Sequence, residues 1–231
     1  MQKEVHVTGR GKILKEFILG AQDGIVNVLG LILGVAIATN EVKIVLVAGI
    51  SALFAESISM GAVAYTSSKA ARDFYRKELK TEKREIKEVP KEEEKEIWNI
   101  YHKKGFRGKL LSDIVKKISS DKKLWVETMM KEELRLFPDE YDKPIKSGIF
   151  VLGATVAGSL IPLISFFFLS VKWGIISALA LSLIVLFAVG AVKSKLTIGD
   201  WKKAGLEMAV IGMVTAVAGF IVGKLLEIWL L

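Results

Sequence analysis

Two acids stand where acids are costly. Asp23 is the only charge in an apolar run from Phe17 to Ala38, and Glu56 is the only charge in a second run from Ile44 to Thr66. Placing one carboxylate at the middle of a bilayer costs about 2.5–3.5 kcal/mol on insertion scales, so such residues point to an ion or proton path. Asp23 lies six residues from one end of its run, about 9 Å in at 1.5 Å per residue. Met60 lies six residues from the matching end of the second run. Glu56 is one helical turn deeper than Met60, on the same face. Ser59 and Asn27 stand where they could add oxygens. A carboxylate, a thioether and a second carboxylate would thus line one path. The plain alternative is a structural hydrogen bond between helices, or a protonated acid that only packs. Glu207, near the start of the last apolar run, is a weaker candidate at the rim.

A second set lies in the charged block from Ser67 to Lys146. Between Lys69 and Lys146 there are 22 Lys/Arg and 17 Asp/Glu, about half of all residues. Within it are Glu82-x-x-Glu85, Glu93-x-x-Glu96 and Met129-Met130-x-x-Glu133. Glutamates three apart share a helix face and repel each other, and a divalent cation would relieve that repulsion. An E-x-x-E pair among lysines is more often a solvated face, and Lys83, Arg84 and Lys95 favour that plainer reading. Met129 and Met130 alone would read as core packing. Soft thioether beside hard carboxylate suits borderline ferrous iron better than magnesium or calcium.

The elements that must hold these residues follow from the charge segregation. The chain has 231 residues, 52% of them hydrophobic and 25% charged, with mean hydropathy +0.41. Five apolar runs are long enough to cross about 30 Å of hydrocarbon. They are Phe17–Ala38, Ile44–Thr66, Ser147–Val171 with Pro162 inside, Trp173–Val192 and Ala204–Gly223. A proline inside a span is tolerated where neighbouring helices satisfy the freed carbonyl. The first run is too long for a signal-peptide core and shows no clear cleavage site, so it is expected to be retained. The expected fold is an all-α membrane protein with one helical insert between the second and third spans. Its parts are 1–66, 67–146 and 147–231.

Lysine and arginine counts in the short loops set the orientation. Lys3, Arg10, Lys12 and Lys15 precede the first span, and Lys193, Lys195, Lys202 and Lys203 join the fourth to the fifth. The other short loops carry only Lys43 and Lys172. The N-terminus and the insert are therefore expected in the cytoplasm, and the C-terminus outside. Within the insert, Ser67–Glu88 should continue the second span until Pro90. Lys91–Lys104 should form a helix ended by Gly105, and Lys109–Ser119 another. A last helix capped by Asp121 should run to Leu136, with Trp125 in the core. Gly20-x-x-x-Gly24, Gly30-x-x-x-Gly34 and Gly219-x-x-x-Gly223 mark faces where helices can approach closely.

Several classes are excluded or disfavoured. With no cysteine, disulfides, thiolate metal sites and Cys nucleophiles are ruled out. Two histidines, His6 and His102, argue against a multi-histidine zinc site within one chain. The net charge of +8 fits the positive-inside rule, and no nucleic-acid-binding motif is present.

The combination resembles the vacuolar iron transporter family, also described as Ccc1-like iron/manganese transporters. The resemblance covers essentially the whole chain. It rests on Gly-Ala-Gln-Asp23-Gly24 in the first span, Glu56-Ser-Ile-Ser-Met60-Gly61 in the second, and an insert with two E-x-x-E pairs, Trp125 and Met129-Met130-x-x-Glu133. The resemblance implies a homodimer with its path between protomers. It implies Asp23 and Met60 as path residues, and a cytoplasmic metal-binding domain using Glu82, Glu85, Glu93, Glu96, Met129, Met130 and Glu133. It further implies export of Fe2+, and often Mn2+, from the cytoplasm in exchange for protons. One departure stands out. Some members carry the acid of the second span two turns before the methionine, where this chain has Ala52. Here it is one turn before, at Glu56.

The sequence is thus read as a divalent-metal exporter in the lipid bilayer, not an enzyme, with no prosthetic group, in a prokaryotic-type plasma membrane. One rival is a membrane-anchored iron-binding or ferroxidase protein. Di-iron bundles normally use Glu-x-x-His pairs, which are absent here. The other is a structural protein whose insert binds a partner, which would leave Asp23 and Glu56 without a role.

Overall fold

The computed structural model describes residues 9–138, 143–197 and 199–230. Lys3 and His6 lie outside them. All regular structure among the described residues is helical. The order is α1 (Gly9–Thr39), α2 (Val42–Glu88), α3 (Pro90–Lys103), α4 (Gly108–Ser119), α5 (Lys122–Thr128), a π-helical turn (Met129–Glu133), α6 (Pro144–Phe168), α7 (Val171–Leu196) and α8 (Trp201–Leu230). Five of these, α1, α2, α6, α7 and α8, are long and apolar enough to cross a membrane. In α2 only the half before Ser67 is apolar, and the rest belongs to the charged block. The chain divides into two compact units, Met1–Tyr65 with Ile145–Leu231, and Thr66–Pro144.

In the first unit α1 is the helix that its neighbours share, and its glycines show why. Gly20 and Gly24 abut Val151, Thr155 and Ser159 of α6, while Gly30 and Gly34 abut Thr215, Gly219 and Gly223 of α8. A Cβ on Gly219 would fall 2.2 Å from the carbonyl oxygen of Gly30, and one on Gly223 would fall 2.4 Å from that of Gly34. Such backbone contact is how helices pack in lipid, where burial of apolar surface supplies no drive. Ser159 adds a hydrogen bond from its hydroxyl to the Gly24 carbonyl at 3.3 Å. Between these contacts Val28, Leu29, Ile32, Leu33, Leu163 and Phe166 form the core. On α7 the buried stripe Gly174, Ala178, Ser182, Leu186, Gly190 and Ser194 recurs every four residues.

The boundary between the third and fourth spans differs from expectation, and α8 runs past Gly223 to Leu230. α6 ends at Phe168, and Val171 begins α7 rather than closing the third span. Ser170 takes an extended N-cap conformation there, and the apolar run across it hid the break. α6 runs through Pro162 unbroken, as expected. The turn after α1 passes through Asn40 at φ 51°, a left-handed conformation that asparagine tolerates well.

The second unit packs the later half of α2 with α3, α4, α5 and the π turn. Pro90 opens α3 at its first position, with Glu92 and Glu93 in the first turn and His102 and Lys103 in the last, matching the helix dipole at both ends. The Asp121 carboxylate caps α5 by accepting from the backbone N–H of Lys123 at 2.9 Å and of Leu124 at 3.3 Å. Trp125 packs in a core with Ile86, Ile97, Ile118, Val126, Met129 and Met130. The last helix does not continue to Leu136. After Thr128 it widens, with Leu134 N–H bonding to the Met129 carbonyl at 3.2 Å and Leu136 N–H to that of Met130 at 2.8 Å. Arg135 then turns to φ 55° and ends it. Seating both methionines in the core accompanies this widening of the backbone.

Candidate functional site

The membrane acids come together. Asp23 and Asn27 are four apart on α1 and so share a face. The Asn27 amide nitrogen donates to Asp23 Oδ1 at 3.1 Å and also to Glu56 Oε1 of α2. Asp23 and Glu56 are half-buried, and Asn27 is exposed at the surface of this unit. Asn27 was expected to lend an oxygen, but its nitrogen faces the acids. The amide nitrogen carries two N–H donors, one for each carboxylate, so it can serve both at once. Met60 is half-buried one turn beyond Glu56 on α2, Ser59 is exposed, and so is Glu207 on α8.

Sequence reasoning missed one acid. Glu16 on α1 accepts a hydrogen bond from the hydroxyl of Ser147, a buried residue of α6. The signal was present, since Glu16 precedes Asp23 by seven residues, two turns on the same face.

The acids of the insert also gather. Glu82 on α2 and Glu93 on α3 are each only 5% exposed, and each buries its Oε2 without a hydrogen-bond partner. Burial pushes the Glu82 carboxyl up to about 7, helped by the charges of Glu133, Glu93, Glu85 and Glu96. Burial likewise raises Glu93 to about 7, with Glu96, Glu85, Glu133 and Glu92 adding repulsion. Glu133, at the end of the π turn, is raised by partial desolvation and then by Glu96 and Glu85. The five glutamates singled out by spacing therefore face a common region from α2, α3 and the π turn. Loss of hydration and like-charge crowding both disfavour the charged form of these acids. As they stand, no three His, Cys, Asp or Glu groups among the described residues are close enough to hold one ion. A cation would have to draw them together.

Met129 (0% exposed) and Met130 (2%) are buried as part of the core with Ile86, Ile97 and Trp125. The arrangement serves packing whether or not their sulfurs also meet a metal. His102 stacks on Trp98 with ring centroids 4.5 Å apart, a ring contact rather than a place among the acids.

Five long apolar helices with an acid pair bridged between two of them define a polytopic helical membrane protein. The chain belongs to the VIT family, whose profile matches residues 14–224. It is similar to vacuolar iron transporter 1 of Eucalyptus grandis, 32% identical over 226 residues, covering 97% of this chain and 90% of that one. It is also similar to vacuolar iron transporter 1 of Arabidopsis thaliana, at 29% identity with 97% and 90% covered. The vacuolar iron transporter of Plasmodium falciparum is 33% identical, with 93% and 82% covered. The resemblance drawn from the motifs thus named the family. These relatives are named for a vacuole, and none of the three for the plasma membrane expected from the sequence.

Proposed function

We propose that this chain carries divalent metal ions, Fe2+ and with it Mn2+, out of the cytoplasm in exchange for protons. The observation that carries the reading is the meeting of Asp23 and Glu56, from two membrane helices, at one amide. Membership of a family whose relatives are named iron transporters supports it. Two carboxylates hold two negative charges between them. One divalent cation neutralises both, and so do two protons. Competition of the two cations for the same oxygens is a sufficient physical basis for antiport. Met60, one turn away, adds the soft ligand that favours Fe2+ over Mg2+ and Ca2+.

The insert collects the ion. Glu82, Glu93 and Glu133 pay for their crowding in raised proton affinity, and a divalent cation would remove that cost and close them, with Glu85 and Glu96, around itself. Met129 and Met130 stand ready on the core side. The loop lysines favour a cytoplasmic N-terminus and insert. An exposed amide at mid-span would face lipid in a lone protomer, which supports a homodimer that covers Asn27.

The test is metal flux into sealed proteoliposomes, with Fe2+ and then Mn2+ supplied on the insert side, with and without an acidic interior. Uptake should require the acidic interior, and Asp23→Asn should reduce it at least about 100-fold while the protein stays monodisperse. Near-normal flux through that variant would sink the reading.

A further inference from the structure

Asn27 is not explained by the exchange as described. Among the described residues it is the side chain that donates to both membrane acids, at 3.1 Å to Asp23 and in close contact with Glu56. Its two N–H hydrogens suffice for one bond to each carboxylate, and its Oδ1 is turned away. A divalent cation entering between those carboxylates would meet the positive end of the N–H dipoles. The amide must then leave or turn. The χ2 torsion of asparagine is broad and nearly two-fold, so a half-turn is cheap. It would bring Oδ1, a neutral hard oxygen, to the place the nitrogen held.

We propose that Asn27 is a two-position binding residue of the membrane path: its nitrogen holds Asp23 and Glu56 once the cation has left, and its oxygen joins them as a ligand when the cation arrives. The inference rests on the transport reading above and deepens it. Between departure of the cation and arrival of the protons the two carboxylates are bare and costly in a low-dielectric span, and donors held between them offset part of that cost. Asn27 therefore favours release. A ligand that only grips would raise affinity and slow turnover. One that changes its grip for a hydrogen bond keeps the oxygens available without trapping the ion.

The experiment is Fe2+ flux in proteoliposomes for wild type, Asp23→Asn, Asn27→Leu, Asn27→Asp and Asn27→Ser, normalised to monodisperse protein. Asn27→Asp keeps an oxygen ligand but loses the donors. It should lower KM and maximal rate together, each about tenfold, as expected for losing hydrogen bonds to charged groups. Asn27→Leu loses donor and ligand alike, so its maximal rate should fall without a rise in KM. Asn27→Ser, with a hydroxyl that both donates and accepts, should recover a large part of the rate. A rise in KM at intact maximal rate in Asn27→Leu would make Asn27 an ordinary ligand and overturn the proposal. So would wild-type KM and rate in Asn27→Asp, an isosteric change that remains informative if the leucine variant does not fold. If Asp23→Asn still carries Fe2+, the transport reading itself has failed. If Asp23→Asn is dead and the Asn27 variants match wild type, only the role of Asn27 has.

Discussion

In the membrane unit, Asp23 and Glu56 share the amide of Asn27. In the insert, Glu82 and Glu93 each bury an oxygen with no partner. Both regions crowd carboxylates away from water, and crowding costs free energy in both. The membrane unit offsets the cost with a neutral donor of its own. The insert leaves it to protons or a cation. This difference fits two tasks: a site along a path must let its ion go, whereas a collecting site gains by needing one.

The comparison is most severely tested by damaging one region alone. Gly219→Val places a side chain where a Cβ already falls 2.2 Å from the Gly30 carbonyl. It should abolish flux by forcing α1 and α8 apart, while Mn2+ binding to the insert, read by calorimetry on the solubilised chain, persists. Loss of both would mean that the two regions are not separable. Next in size, Glu82→Gln with Glu93→Gln removes two charges from the insert. Its Fe2+ affinity should fall about tenfold, since ligand charge count tunes such sites. Flux at saturating Fe2+ should hardly change, because the membrane pair is intact. A fall to the level of Asp23→Asn would break the distinction.

A smaller effect concerns pH. Unfolded, Glu82 and Glu93 titrate near the ordinary 4.5, and folded they titrate near 7. The folded state therefore binds more protons between those values, and stability falls as pH rises from about 4.5 to 7, then levels off. With a chelator present, the Tm of the insert transition should drop by several degrees over that window. The Gln double variant should flatten the drop, and Mn2+ should raise Tm most above pH 7. A Tm that rises with pH across the window would contradict the crowding. The smallest change is Met130→Leu, which keeps volume and packing. A fall of about threefold in Fe2+ affinity at unchanged Tm would make the thioether a ligand, and no fall would make it core alone.

Much of this was legible in the sequence because it depends on sorting charge from grease. The five spans, the acids inside them and the five glutamates of the insert all follow from that sorting and from helical spacing. The π turn was not legible. Met129, Met130, Lys131, Glu132 and Glu133 are ordinary helix formers, and only the core that receives both methionines distinguishes a widened turn from a regular one. The break at Ser170 was hidden because the residues on both sides are apolar. The direction of the Asn27 amide could not be read either. It depends on Glu56 lying across from α1, and spacing within one helix says nothing about the helix opposite. The glycine motifs lay between these cases. Their existence was plain, but their pairing of α1 with α6 and α8 was not.

That pairing bears on how the protein is made. Gly34 belongs to the first membrane helix and Gly223 to the last, and each packs against the other's backbone. As the chain leaves the ribosome, α1 enters the bilayer with this face open and must wait for every later span before it can close. Assembly of the membrane unit is thus non-local, completed only once α8 has joined α1 in the bilayer. A chain truncated before α8 would reach the membrane with its first helix still unpartnered. It would be open to wrong pairing and to quality-control proteases, however well the preceding helices had inserted.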